Sequence, residues 1–359
     1  LKYYISEKEF KNLIVSHSRE GPYDLNGKKI KIRNTDTLFI MYTGGTTGFP
    51  KGVLLSHKNI TSTLAATAAR LLQESEKYSE EKKQKRIKMI ETNTGIILTD
   101  MPMFHAAAMY TTLVSVYVQR TLITHKKFDP IQTYRTIEQE KVTTLELVPT
   151  MLIKLIETYE PKYNLGSLEH ILYGAAPINP STLKKALTIF KNVEFSQIFG
   201  MTETSVPVTI LSTEDHELIR KQGKNHLLLS AGKPIHGVEI KIVDQEHKEL
   251  PVGKIGEIAV RGEGVMQGYW KMQKKTKEVI DIEGWYYTGD MGKLDEEGYL
   301  YVVDRLKDMI VSGGENIYPA EVEKVLYSHP FVAHCAVIGA PDELWGEKVV
   351  AFIVLHNNM

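Results

Sequence analysis

Between Leu38 and Ile198, short apolar runs alternate with longer stretches that carry helix-start signals, and this alternation constrains the fold more than any other feature. Leu38–Tyr42, Gly95–Leu98, Thr144–Val148, His170–Tyr173 and Val193–Ile198 have the length and composition of buried strands. Asp129-Pro130 and Asn179-Pro180 each place a side-chain acceptor at an N-cap and a proline at the first helical position, where its missing N–H would have had no partner. Strand and helix in repeated succession predict an α/β layered large domain with mostly parallel sheets.

From His226 to Tyr301 the texture changes to strands punctuated by glycine, at Val238–Val243, Glu257–Val260 and Tyr299–Val303, which predicts a β-rich subdomain. After Asp304 come Lys307-Asp308, a Gly313-Gly314 turn, a helix opened by Pro319 and a strand from Val332 to Ile338, read as a partial small α+β C-terminal domain. The expected division is therefore 1–304 for the large domain, with its β-rich part at about 226–304, and 305–359 for a hinge and the small domain. Gln73–Glu91 is dense in Glu, Lys and Gln without apolar periodicity and is expected to be a solvated helix or excursion, with no partner surface assigned to Lys82–Lys88. No internal repeat is present.

Lysine plus arginine and aspartate plus glutamate balance at 44 each, so no overall field favours nucleic acid or an anionic membrane, and any phosphate site must be local. Cys335 is the only cysteine, which excludes an internal disulfide framework and a multi-cysteine zinc site and agrees with a reducing, cytoplasmic setting. No apolar run is long enough to span a bilayer, and peripheral membrane contact stays open. The chain opens at Leu1 rather than methionine, so the true amino terminus, with any targeting signal, is expected to lie outside it.

One stretch has the chemistry of a phosphate loop. In Tyr42-Thr43-Gly44-Gly45-Thr46-Thr47-Gly48-Phe49-Pro50-Lys51-Gly52, glycines without Cβ let backbone N–H groups converge on phosphate oxygens, threonine hydroxyls add donors and Lys51 adds charge. The loop follows an apolar strand and precedes a helix start at Ser56. It is not a Walker A loop, which needs Gly-Lys-Ser/Thr at its end; here Pro50 precedes Lys51.

This loop resembles the signature loop of the adenylate-forming superfamily of acyl-CoA synthetases, peptide-synthetase adenylation domains and luciferases. Gly44, where serine is usual, resembles the form found in fatty acyl-CoA synthetases, and the other family motifs follow in order. Met101-Pro102-Met103-Phe104-His105 resembles the segment before the acyl pocket, whose histidine shapes the entrance. Tyr173-Gly174-Ala175-Ala176-Pro177 resembles the lining of the adenine and acyl sites. In Gln197-Ile198-Phe199-Gly200-Met201-Thr202-Glu203 the resemblance implies an aromatic ring on adenine, Thr202 at the α-phosphate and Glu203 on Mg²⁺, with Thr46 as a second metal contact. Phe199 departs from the usual tyrosine, so stacking is retained and a phenol hydrogen bond is lost. Gly284-Trp285-Tyr286-Tyr287-Thr288-Gly289-Asp290 places Asp290 on the ribose, and Arg305 matches an arginine on the nucleotide's ribose and phosphate side. Lys307 falls at the family's hinge, and Gly314, in Val311-Ser312-Gly313-Gly314-Glu315-Asn316, at the pantetheine tunnel.

The resemblance implies an AMP-forming acyl-CoA synthetase using ATP, Mg²⁺ and coenzyme A on a carboxylic acid, of medium or long aliphatic chain by the likeness of Gly44 and of Asp290–Pro319. Lys51, His105, Thr202 and Glu203 are the expected catalytic residues. Alternatives are an acyl-AMP ligase loading a carrier protein, an aryl-CoA ligase, and a nucleotide-binding protein without catalysis. His105 stands where amino-acid-activating relatives use aspartate, which argues against an amino-acid substrate. The family also carries a lysine near its carboxyl terminus that serves adenylation; no residue here matches it, and both ends of the chain are expected to be incomplete.

Overall fold

The computed structural model describes residues 31–44, 50–75, 80, 95–312, 315–327, 329–342 and 345–355. Gly45–Gly48, most of Gln73–Glu91 and the Gly313-Gly314 turn lie outside the described residues.

Strand β1 (Thr37–Thr43) pairs with β2 (Lys51–Ser56), which runs into helix α1 (His57–Ser75). Then follow β3 (Ile96–Thr99), α2 (Ala106–Tyr117), β4 (Thr121–Ile123), α3 (Pro130–Glu140), β5 (Thr144–Leu147), α4 (Pro149–Glu157), β6 (His170–Gly174), α5 (Pro180–Ile189) and β7 (Glu194–Met201). This is the predicted βα alternation. A 3-10 turn at Thr202–Thr204 leads to β8 (Val206–Leu211), α6 (Thr213–Gln222) and the short β9 (Lys233–Pro234). The β-rich stretch holds β10 (Val238–Val243), β11 (Gly256–Gly262), β12 (Gly268–Tyr269), α7 (Gln273–Val279), β13 (Tyr286–Leu294) and β14 (Leu300–Arg305). Last come β15 (Ile310–Ser312), β16 (Glu315–Ile317), α8 (Pro319–Tyr327), β17 (Val332–Asp342) and β18 (Gly346–Leu355).

The main sheet has the order β4-β3-β5-β6-β7-β8-β9. Its first five strands are parallel and its last two join antiparallel. Helices α3 and α5 begin where predicted: Asp129 Oδ1 accepts from Gln132 N at 2.7 Å, and Asn179 Oδ1 from Ser181 N at 2.9 Å. Burial explains the rest. Leu145 and Leu147 of β5 join Tyr134, Ile137, Leu152, Leu155, Ile171 and Phe195 in one core, each such side chain contributing about 1.5–3 kcal/mol. Strand alternation turns Thr144 and Glu146 to the opposite face.

Two expectations need correction. Leu38–Tyr42 is not a buried strand of the parallel sheet; β1 belongs to a separate antiparallel sheet of order β1-β2-β12, with Ile40 43% and Tyr42 60% exposed. The loop also ends earlier than predicted, because Lys51 and Gly52 already belong to β2 and the helix begins at His57. Ser56 caps that helix, its Oγ accepting from Asn59 N at 3.1 Å. The apolar Val53-Leu54-Leu55 run carried the signal for β2.

The β-rich stretch is a four-stranded antiparallel sheet, β10-β11-β13-β14, and the last part another, β16-β15-β18-β17. A buried network joins the first of these to the main sheet. His216 Nδ1 lies 2.7 Å from the Ser212 carbonyl, so that nitrogen carries the proton and Nε2 accepts from Tyr173 OH at 2.9 Å. Burial pushes the His216 pKa down to about 4, which keeps the ring neutral. On the adjacent residue, Asp215 Oδ1 accepts from Tyr299 OH at 2.6 Å, tying the start of β14 to α6.

Candidate nucleotide and acyl-group site

A cleft of about 2100 Å³ opens beyond the carboxyl ends of β5, β6 and β7, where open α/β sheets gather their ligands. Its walls include every predicted site residue that the structure describes. Thr43, Gly44, Lys51 and His105 stand on one side, Gly174, Ala175 and Ala176 at the end of β6, Gln197 to Glu203 at the end of β7, and Asp290 and Arg305 on the antiparallel sheet. Gly45, Thr46, Thr47, Gly48 and Gly314 lie outside the described residues.

Glu203 sits in the 3-10 turn after β7 and is 9% exposed. Tyr269 OH, on β12, donates to Glu203 Oε1 at 3.1 Å, and Lys51 Nζ approaches the same phenol at 3.4 Å. Burial and the neighbouring Glu203 raise the Tyr269 pKa, so the phenol stays a donor. Antiparallel pairing of β12 with β2 brings Tyr269 opposite Val53, two residues beyond Lys51. Sequence reading missed Tyr269, since only this pairing brings it to Glu203; Gly268-Tyr269-Trp270 after a glycine-rich run was the available signal.

Backbone requirements fix the walls. A Cβ on Gly174 would lie 2.4 Å from the Ile198 carbonyl, and one on Gly200 1.5 Å from that of Val206. Ala175 has φ +66°, a left-handed conformation that L residues adopt at a cost and that clusters at functional sites. Gln197 Oε1 lies 3.3 Å from Tyr173 OH, whose proton goes to His216, and Thr202 and Phe199 are partly exposed to the cleft.

Asp290 and Arg305 are register partners on β13 and β14, with Arg305 Nε 3.5 Å from Asp290 Oδ1. Burial pushes the Asp290 pKa up to about 6; Arg305 opposes that shift, while Glu203, Glu257 and Asp304 add to it. Gly289, at φ +75°, donates its N–H to Glu257 Oε1 at 2.8 Å, and Asp290 N donates to Thr288 Oγ1 at 3.0 Å. The segment is thus held by side-chain acceptors while the Asp290 carboxylate faces the cleft.

His105 is exposed and caps α2, its Nδ1 accepting from Ala107 N at 3.2 Å. Behind it, Tyr110 OH donates to Thr67 Oγ1 at 2.5 Å. Glu146 of β5 also lines the cleft, is 6% exposed, and sits beside Thr99 of the neighbouring strand. Burial raises its pKa to about 7, against hydrogen bonds from the Thr111 and Thr99 hydroxyls. It too was missed, although a lone acid inside the apolar run Thr144–Val148 was a sequence signal.

Among the described residues no cluster of three or more His, Cys, Asp or Glu side chains could hold a metal ion by itself. A single carboxylate at a phosphate site suits Mg²⁺, which keeps waters and shares oxygens with substrate phosphates.

The AMP-binding enzyme family matches residues 2–270, and the AMP-binding enzyme C-terminal domain matches 321–359. The chain belongs to the AMP-binding enzyme family. Among relatives of this AMP-binding enzyme, a medium/long-chain-fatty-acid–CoA ligase of Mycobacterium tuberculosis is 37% identical over 320 residues, covering 89% of this chain and 51% of that protein. A fatty acid–[acyl-carrier-protein] ligase of Streptomyces coeruleorubidus is 36% identical over 316 residues, covering 88% and 57%. The chain thus spans between half and two thirds of these relatives. A solved o-succinylbenzoate CoA synthetase from Bacillus subtilis, in complex with its acyl-adenylate intermediate, has TM-score 0.76 and 33% identity over 99% of this chain and 68% of that one. No helix among the described residues is long and apolar enough to cross a membrane.

Proposed function

We propose that this AMP-binding enzyme joins a carboxylic acid to AMP at the expense of ATP and passes the acyl group to coenzyme A. One observation carries the reading: Lys51, Glu203, Asp290 and Arg305, far apart in sequence, line one cleft at the carboxyl ends of the sheet strands. A cation, a metal-suited carboxylate, and a carboxylate able to accept from two vicinal hydroxyls are the groups that a nucleoside triphosphate requires there.

In this reading Asp290 holds the ribose hydroxyls and Phe199 packs against the base. Lys51, whose Nζ lies 3.4 Å from Tyr269 OH, and Thr202 bind phosphate oxygens. Glu203 holds Mg²⁺, which neutralises charge on the triphosphate when bound. The acid's carboxylate attacks the α-phosphorus, the bond to pyrophosphate breaks, and acyl-AMP forms. Positioning and electrostatic stabilisation dominate such a step. The thiol of coenzyme A then attacks the acyl carbonyl, the bond to AMP breaks, and the thiol proton passes to the departing phosphate or to solvent. Residues 305–359 are read as a hinge and a small domain that turns about Lys307 between the two steps.

The acid is read as a medium- or long-chain fatty acid, supported by the relative that acts on such acids. Transfer to a carrier protein is the second reading, favoured by the carrier-protein ligase relative. Acid-dependent exchange of pyrophosphate into ATP, followed by thioester analysis with free coenzyme A and with a carrier protein, tests both. Exchange without thioester on either acceptor would contradict the second half-reaction.

A further inference from the structure

Glu146 has no place in the reading above, yet the structure gives it an unusual position. Strand alternation puts it on the face of β5 opposite the Leu145 and Leu147 core, toward α2, whose Thr111 hydrogen-bonds its carboxyl group. Thr99, its register partner on β3, supplies a second hydroxyl. Its Oε2 atom is buried without a hydrogen-bond partner among the described residues. Tyr110 OH is spent on Thr67, and the Nδ1 atom of His105 on Ala107 N, so neither supplies the missing bond.

Buried carboxyl oxygens are as a rule hydrogen-bonded, and an orphaned one carries its full desolvation cost, which a ligand donor or acceptor would offset. Glu146 lines the same cleft as His105, Ala106 and Leu147, with Oε2 buried in that wall. We propose that Glu146 is a specificity-determining residue that hydrogen-bonds a hydroxyl group carried by the acyl chain, so that the preferred substrates are hydroxyl-bearing carboxylic acids rather than plain alkyl ones. The inference rests on the proposed acid-activating role of the cleft and narrows its substrate class.

A hydroxyl is the smallest group that fits in either protonation state. It donates to the ionised carboxylate and accepts from the protonated acid, whereas an ammonium matches only the first and a carboxylate only the second. An unsubstituted alkyl chain in this position would leave Oε2 unpaired in a dry pocket, and sites built for a hydrogen bond discriminate strongly against ligands that lack it.

The test uses non-reactive acyl-sulfamoyl-adenosines, stable mimics of the acyl-adenylate, in pairs that differ only by a terminal hydroxyl and over a graded series of chain lengths. Binding is measured by calorimetry on the wild-type protein, Glu146→Gln and Glu146→Leu, with the melting temperature of each recorded. At the matching chain length the wild type is expected to bind the hydroxyl form about 10–100-fold more tightly than the alkyl form. Glu146→Gln, which keeps an acceptor and a donor, is expected to retain a preference, and Glu146→Leu to lose or reverse it while still binding the alkyl form. Equal binding of each pair by the wild type, or a preference that survives in Glu146→Leu, would overturn the inference and leave the adenylate site standing. Equal weakening of both forms in Glu146→Leu, with a lowered melting temperature, would show a structural role and overturn it as well. Failure of every analogue to bind the wild type would instead remove the adenylate-site reading on which the inference rests.

Discussion

Tyr269 OH donates a 3.1 Å hydrogen bond to Glu203 Oε1, joining the short edge strand β12 to the turn after β7 across 66 positions of sequence. The same phenol receives Lys51 Nζ, so one side chain touches both the proposed phosphate cation and the proposed metal carboxylate. Removing the hydroxyl by Tyr269→Phe leaves Glu203 without this donor and free to swing. The magnesium concentration giving half-maximal exchange is expected to rise about 10–100-fold, in line with roughly 1.5–3 kcal/mol for a hydrogen bond to a charged group. Magnesium titration of the exchange rate measures it, and an unchanged requirement would mean that Tyr269 does not orient Glu203.

Asp290 gives a pH dependence with a definite sign. Its folded pKa, about 6, lies above the ordinary 3.8, so the folded protein holds a proton there that the unfolded chain has lost between these values. The group therefore weakens the fold as pH rises through that window. Asp290→Asn is expected to raise ligand-free stability at pH 7 by about 1–3 kcal/mol and to lose that advantage near pH 3, read by chemical denaturation at both pH values. Nucleotide affinity is expected to move the other way: AMP binds the wild type more weakly as pH falls below about 6. A variant that binds AMP as well as wild type would refute the ribose assignment.

Gly200 tests how the end of β7 is built. An added methyl would overlap the Val206 carbonyl, which cannot retreat because Val206 is paired with Met201 across the β7–β8 bulge. Gly200→Ala is expected to cost about 1–3 kcal/mol, at the upper end of that range, with loss of nucleotide binding. Urea denaturation measures the cost; a stability within error of wild type would show that the strand end relaxes freely.

What the sequence made legible follows physical locality. The helix starts at Asp129 and Asn179 were readable because cap and proline lie within a few residues of each other, and β5 and β6 because Leu145 and Leu147, and Ile171, Leu172 and Tyr173, give each a short apolar run. The partner of Leu38–Tyr42 was not readable. Its apolar content fits either sheet, and antiparallel pairing with Lys51–Ser56 depends on a connection whose geometry no local signal specifies. The site divided in the same way. Glu203, Asp290 and Arg305 lie in motifs that resemble a known family, whereas Tyr269 and Glu146 owe their positions to pairing of β12 with β2 and of β5 with β3, long-range facts.

The central claim is that this cleft forms an acyl-adenylate. The most direct measurement is exchange of labelled pyrophosphate into ATP with and without added carboxylic acid, in the wild type and in Glu203→Ala. Acid-dependent exchange in the wild type, reduced about 10²–10³-fold in the variant, is the expected result, since a positioned electrostatic group of this kind contributes that much to rate. No exchange with any acid, or equal exchange in wild type and variant, would contradict it.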